Sequence, residues 1–212
     1  MEENDWDNYW VRHDRKKSFS ENIFTLMRKV VIAPGTAYFF DKIFPKKGSF
    51  LEAGCGSGES SIKIRSHERK FIALDYSVLA LERAKKQNFY HKFKKGDVRK
   101  LPFKDNSFDG IWSVGVLEHF PANEVPLLLN ESFRVLKKGG KILMLVPPKH
   151  SSSIVFFNIL NKFIKFQVPD EPSQPKSKEE IKKWFEKAGF KKVYVSFPFR
   201  LLCIYYVIAG EK

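Results

Sequence analysis

Three glycines at alternate positions, Gly54, Gly56 and Gly58, lie within the stretch FLEAGCGSGESS at residues 50–61. An apolar run at 50–53, interrupted by the acidic Glu52, leads into them, and residues 59–65 can continue as a helix. Glycine adopts positive φ at no steric cost and lets a ligand come close to the main chain. Strand, tight turn and helix start, in that order, make a cradle for a nucleotide-like group, because open α/β sheets take ligands at the carboxyl ends of their strands. Asp75 lies 21 residues beyond Gly54, close to the ~20 expected for a carboxylate that accepts ribose hydroxyls. Its plainer use is to cap the helix that follows. A dinucleotide prefers G-x-G-x-x-G, yet Glu59 occupies the third-glycine place, where its charge would repel a pyrophosphate. A nucleoside without phosphates suits the turn better.

Proton chemistry has fewer candidates. His119, in VLEHF at 116–120, follows an apolar run at 108–114 and would sit at the same carboxyl edge. Imidazole titrates near neutrality, so this residue could remove a proton from an acceptor within hydrogen-bond reach. The alternative is a pocket-lining histidine, with Glu118 as a second polar wall. His13 and His150 are remoter candidates for the base. Cys55 reads as a small residue of the turn, and Cys203 is too far along the chain to suggest a disulfide framework. No His, Cys and carboxylate spacing supports a metal site.

These residues need a scaffold, and the chain alternates strands with helices from Gly48 onward. Strands are expected at 50–53, 71–74, 91–95, 108–114 and 141–146. Helices are expected at 59–65, from Ser77 through Ala84, and at 123–137, with Asn123 as N-cap and Gly139-Gly140 as the stop. Such repetition with short links implies a parallel sheet covered on both faces. Ser177 and Glu180 form a capping-box pair for a helix ending at Gly189. Two β-rich runs, 193–197 and 204–209, then read as an antiparallel hairpin. Before Gly48 the chain reads as helical, with Ala33-Pro34-Gly35 as a break.

With these elements in place the sequence resembles the class I S-adenosylmethionine-dependent methyltransferases, over roughly residues 48–146. Four stretches carry the likeness in order: LEAGCGSG (51–58), ALD (73–75), GDVRKLPF (96–103) with FDGIWSVGVLEHF (108–120), and LKKGGKILMLVP (136–147). The resemblance implies an α/β fold, a three-layer α-β-α sandwich around a seven-stranded, mostly parallel sheet with an antiparallel C-terminal hairpin strand. It implies S-adenosyl-L-methionine as cofactor. Gly54, Cys55, Gly56 and Gly58 would wrap it, with Asp75 and Tyr76 at the ribose and Asp97 and the Val98 amide at the adenine. Ser113, Val114 and Gly115 would approach the methionine moiety. Glu52, where the family more often has Asp, would hold its ammonium directly or through water. Arg12, in an aromatic segment like the one that folds over the cofactor in related enzymes, would pair with its carboxylate.

Methyl transfer from a sulfonium needs alignment more than a catalytic dyad, so acceptor choice falls to the segments outside the core sheet. These are a helical cap at 1–47 and a lid insertion at about 149–176 within the domain at 48–212. Tyr9, Trp10, Glu118, His150, Phe156 and Phe157 are the candidate pocket residues. Residues 154–166 place Asn158, Asn161, Lys162 and Lys165 on one narrow polar stripe of an otherwise apolar helix, which suits a lid, a hydrophobic acceptor or contact with a membrane surface.

With 43% hydrophobic residues the chain is no disordered segment, and no apolar run reaches the ~18 residues of a membrane span. A reducing cytoplasm is the simplest compartment, with a peripheral membrane position as its variant. The net charge of +14 admits nucleic acid as a partner. Because the basic residues are spread along the sequence, a small-molecule or lipid-like acceptor ranks ahead of RNA or protein, and ahead of a cofactor-binding regulator without turnover. Oligomeric state has no signature in the sequence.

Overall fold

Apolar side chains alternate along each central strand, and the alternation divides them between two faces. In the computed structural model, which describes residues 6–11, 25–65, 68–148, 177–201 and 204–212, seven strands form one sheet. They are β1 (Lys47–Ala53), β2 (Glu68–Asp75), β3 (Lys92–Lys95), β4 (Phe108–Val114), β5 (Leu136–Val146), β6 (Lys191–Ser196) and β7 (Tyr206–Glu211). Their order is β3-β2-β1-β4-β5-β7-β6. The first five pair in parallel, and β7 runs antiparallel between β5 and β6.

Ile142, Met144 and Ile208 point to one face, where they join Leu51, Leu74 and Ile111. Leu143, Leu145 and Val207 point to the other, with Phe50, Phe71 and Trp112. The first face is covered by α4 (Val125–Val135) and α5 (Lys178–Lys187) through Leu128, Leu129, Ile181 and Phe185. The second is covered by α2 (Ala33–Ile43) and α3 (Val78–Lys85); Phe40 and Phe44 of the α2 region pack on Phe50 with ring centroids 5.4 and 5.5 Å away. Residues 33–44 thus share the core of the domain. A short helix, α1, spans residues 6–11.

Several local expectations change. The break at Ala33-Pro34-Gly35 does not occur, because the preceding turn, Arg28–Ile32, widens into a π-helix and α2 continues through the proline. The Ala33 N–H reaches back five residues to the Arg28 carbonyl, which makes room where a proline ring meets the preceding turn. No regular helix forms at 59–65. Ser61 N–H bonds to Gly58 O at 3.2 Å and Ile64 N–H to Ser61 O at 3.0 Å, so the segment winds in successive three-residue turns that bury both side chains. Helix α4 starts at Val125 after Glu124, two residues past the expected Asn123 cap, and it stops at Val135. Leu136 turns extended and sinks into the core opposite Phe108, so Gly139-Gly140 lie inside β5, bonded to Lys212, instead of closing a helix. The proposed lid at 149–176 lies outside the described residues.

Candidate active site

The glycine turn is pinned to β2. Gly54 N–H and Cys55 N–H both donate to the Leu74 carbonyl, at 2.8 and 2.9 Å. Gly54 has φ +76°, and a Cβ there would lie 2.6 Å from Cγ2 of Val116, in the loop after β4. Only glycine lets these two strand ends approach so closely.

Asp75, the last residue of β2, accepts from Gly56 N–H at 2.8 Å and from Ser77 N–H at 3.0 Å. Burial pushes its carboxyl above the usual range, while these backbone donors oppose the shift. Ser77 caps α3 by accepting from Ala80 N–H at 3.2 Å and donates its hydroxyl to Asp7 of α1. The turn, the ribose-type carboxylate and the first helix are therefore one bonded unit.

Asp97, beyond β3, is held by Arg99. The backbone N–H of Arg99 donates at 2.8 Å, its Nε at 3.1 Å and its Nη2 at 2.7 Å, while Nη1 reaches Glu124 at 2.5 Å. Burial acts to raise the Asp97 carboxyl, but the Arg99 bonds and charge outweigh it, and the net shift is downward. The Val98 side chain is buried in the core beside Leu101.

Glu52 is 1% exposed. Its Oε1 accepts from the Ser61 hydroxyl at 2.7 Å and its Oε2 from the Tyr90 hydroxyl, while Trp112 Nε1–H donates to Ser61 Oγ at 3.0 Å. Burial pushes the carboxyl up to about 8 against the pull of these hydrogen bonds. Both oxygens face protein donors. Cys55 is buried as well, and burial first, then the nearby Asp75 and Glu52 charges, raise its thiol well above the ordinary value.

Past β4, Ser113 is 2% exposed, Val114 packs on the second core, and Gly115 N–H bonds to Leu145 O at 2.9 Å. Glu118 is buried, its Oε1 3.3 Å from where a Cβ on Gly115 would stand, with the Tyr205 hydroxyl 3.7 Å from the same point. His119 is half-buried and meets the Trp6 ring edge-on at 4.9 Å. Trp6, Tyr9 and Trp10 stack edge to face along α1, at 6.1 and 5.3 Å. The Arg83 guanidinium lies 4.7 Å above the Trp10 ring and donates to the Trp10 carbonyl at 2.9 Å. Helix α1 thus bridges from α3 to the loop after β4, with Trp10 over Gly56.

Thus Glu52, Asp75, Asp97, the glycine turn, residues 113–115, Glu118, His119, Tyr9 and Trp10 gather at the carboxyl side of the sheet. Arg12, His13, His150, Phe156 and Phe157 lie outside the described residues. Tyr90 and Tyr205 carry no motif that could single them out in the sequence, and Ser61 and Arg99 lie inside motif stretches, 50–61 and 96–103, without a local signal for the bonds they make. Among the described residues no group of three or more His, Cys, Asp or Glu is placed to hold a metal ion, and no helix is long and apolar enough to cross a membrane. Two acidic residues at adjacent strand ends and a close-packed glycine turn, with Asp75 held ready by main-chain donors, fit a phosphate-free adenosyl cofactor.

These features define a Rossmann-like enzyme fold with a nucleoside-cofactor edge. The family described as "Methyltransferase domain" matches residues 51–144. A malonyl-[acyl-carrier protein] O-methyltransferase of Erwinia pyrifoliae is 38% identical over 93 residues, 44% of this chain and 35% of that protein. A chloroplastic 2-methyl-6-phytyl-1,4-hydroquinone methyltransferase of Spinacia oleracea is 32% identical over 149 residues, 68% of this chain and 39% of that one. The chain thus spans between a third and two fifths of the length of these two relatives. The same fold appears in a Thermotoga maritima structure described as an S-adenosylmethionine-dependent methyltransferase and possible histamine N-methyltransferase, with TM-score 0.65, 24% identity, and 91% and 93% of the two chains covered. Residues 51–144 thus match a methyltransferase-domain family, and the sheet that holds them has the fold of that S-adenosylmethionine-dependent methyltransferase structure.

Proposed function

We propose that this chain transfers a methyl group from S-adenosylmethionine to a small or lipid-like acceptor by in-line displacement. The observation that carries the reading is the Asp75 carboxylate, fixed by Gly56 and Ser77 main-chain donors at the end of β2, with Asp97 at the end of β3. Asp75 would take the ribose hydroxyls and Asp97 the adenine amino group. The turn and residues 113–115 would line the methionine end. The sulfonium supplies an already activated methyl, so the protein's part is to align the acceptor and exclude water. Support for the acceptor class comes from the acyl-carrier and hydroquinone substrates in the names of the relatives. The aromatic wall of Trp6, Tyr9 and Trp10 is suited to an apolar acceptor body. His119, against Trp6, is the base for an acceptor whose hydroxyl or ammonium must lose a proton.

Incubation with isotopically labelled S-adenosylmethionine and a panel of malonyl thioesters, prenylated quinols, amines and RNA tests this. Labelled product from the thioester, quinol or amine set is expected. His119→Ala should lower kcat about 100-fold while leaving S-adenosylhomocysteine affinity unchanged. Label in RNA alone would overturn the acceptor class.

A further inference from the structure

A ligand cannot touch a group that water cannot, and Glu52 is 1% exposed with one protein donor on each oxygen. The network joins four parts of the fold. Glu52 belongs to β1, Ser61 to the turn after the glycines, Trp112 to β4, and Tyr90 to the link between α3 and β3. Tyr90 also supports the turn directly: a Cβ on Gly58 would lie 3.0 Å from its Cε2 and 3.2 Å from its hydroxyl. From Gly58 the turn runs back to Gly56, whose N–H holds Asp75. Ser61, whose N–H donates to Gly58 O at 3.2 Å, completes a path of hydrogen bonds and backbone from the Glu52 carboxyl to the carboxylate assigned to the ribose, and Tyr90 packs against that path.

We propose that Glu52 and Tyr90 are positioning residues for the nucleoside half of the cofactor, acting through Ser61 and the glycine turn, and that Glu52 is not the ligand of the cofactor's ammonium. The inference rests on the cofactor site described above. The raised Glu52 carboxyl agrees with a group enclosed by protein and away from a cation.

Two ligands separate the possibilities. S-adenosylhomocysteine carries the amino-acid end, and 5′-methylthioadenosine lacks it. Their affinities are measured by calorimetry for the wild type, Glu52→Gln, Tyr90→Phe and the double variant, with thermal unfolding as the check on folding. Each single substitution removes one hydrogen bond of the same chain, so each should weaken both ligands by the same factor, about five- to tenfold. The double variant should lose much less than the product of the two factors, as coupled neighbours do. Weakening of S-adenosylhomocysteine alone in Glu52→Gln would make Glu52 the ammonium ligand and overturn the proposal. Unchanged affinities with a lowered unfolding temperature would reduce the network to a purely structural one and overturn it too. Should Glu52→Gln not fold, Tyr90→Phe takes its place: equal weakening of both ligands is expected, and weakening of S-adenosylhomocysteine alone or unchanged affinities would overturn the proposal. If the wild type binds neither ligand, the site reading itself fails, an outcome distinct from both.

Discussion

At the scale of single residues, the site keeps three carboxyl groups in three different electrostatic states. Asp97 is held charged by Arg99, Asp75 is raised by burial against two main-chain donors, and Glu52 is raised to about 8 by enclosure. The Glu52 shift has a consequence for stability. Its folded pKa exceeds the ordinary carboxylate value of 4.5, so between these two values the folded state holds a proton that the unfolded chain releases. Stability from this group is therefore full at low pH and is lost as pH rises toward 8, with a limiting slope of about 1.4 kcal/mol per pH unit. Urea unfolding at pH 5 and pH 8 should show Glu52→Gln gaining on the wild type at the higher pH. A constant difference at both pH values would mean that Glu52 is not shifted. The motif residues Glu52, Asp75 and Asp97 are legible from sequence because glycine turns and strand ends leave local signatures. The partners of Asp75 and Asp97 lie in the same stretches, Gly56 in the turn and Arg99 two residues on, whereas Tyr90 meets Glu52 across 38 residues of chain and leaves no local signal.

At the scale of elements, alternating apolar side chains make strands easy to read. β4 falls at 108–114 as expected, and Ser77 and Ser177 both cap helices through bonds to the N–H three residues on. The misreadings share one cause, which is tertiary bonding overriding local preference. Residues 59–65 have helical composition, yet Ser61 is drawn to Glu52 and Trp112, and the backbone turns tightly to bring it there. Likewise Leu136 leaves α4 early to enter the core, and the proline of α2 is absorbed by a π turn. The glycine turn offers a test at this scale. Gly58 has φ +76° with Tyr90 at 3.0 Å from a would-be Cβ. Gly58→Ala should cost on the order of 1–3 kcal/mol in urea unfolding and weaken S-adenosylhomocysteine. A neutral effect on both would show that the turn tolerates a side chain and is not held against Tyr90.

At the scale of the whole molecule, the sheet gathers part of the positive charge at one edge. Lys47, Lys137, Lys138, Lys141, Lys191 and Lys192 stand at the amino ends of β1, β5 and β6, which is the edge opposite Asp75 and Asp97. Read along the sequence these lysines look scattered; strand order brings them together, because β1, β5 and β6 each carry them near their amino ends. At the carboxyl edge Asp75 lies beside Lys95 of β3, and Asp97 is paired with Arg99. Topology thus places six of the lysines behind a net charge of +14 on the side of the sheet away from Asp75 and Asp97.

Calorimetry of S-adenosylhomocysteine against the wild type and Asp75→Asn tests the adenosyl groove most directly. The wild type should bind one molecule per chain, and Asp75→Asn, which keeps the size of the side chain but not its charge, should bind about 10- to 100-fold more weakly. Equal affinity in the two proteins, or no binding by the folded wild type, would contradict it.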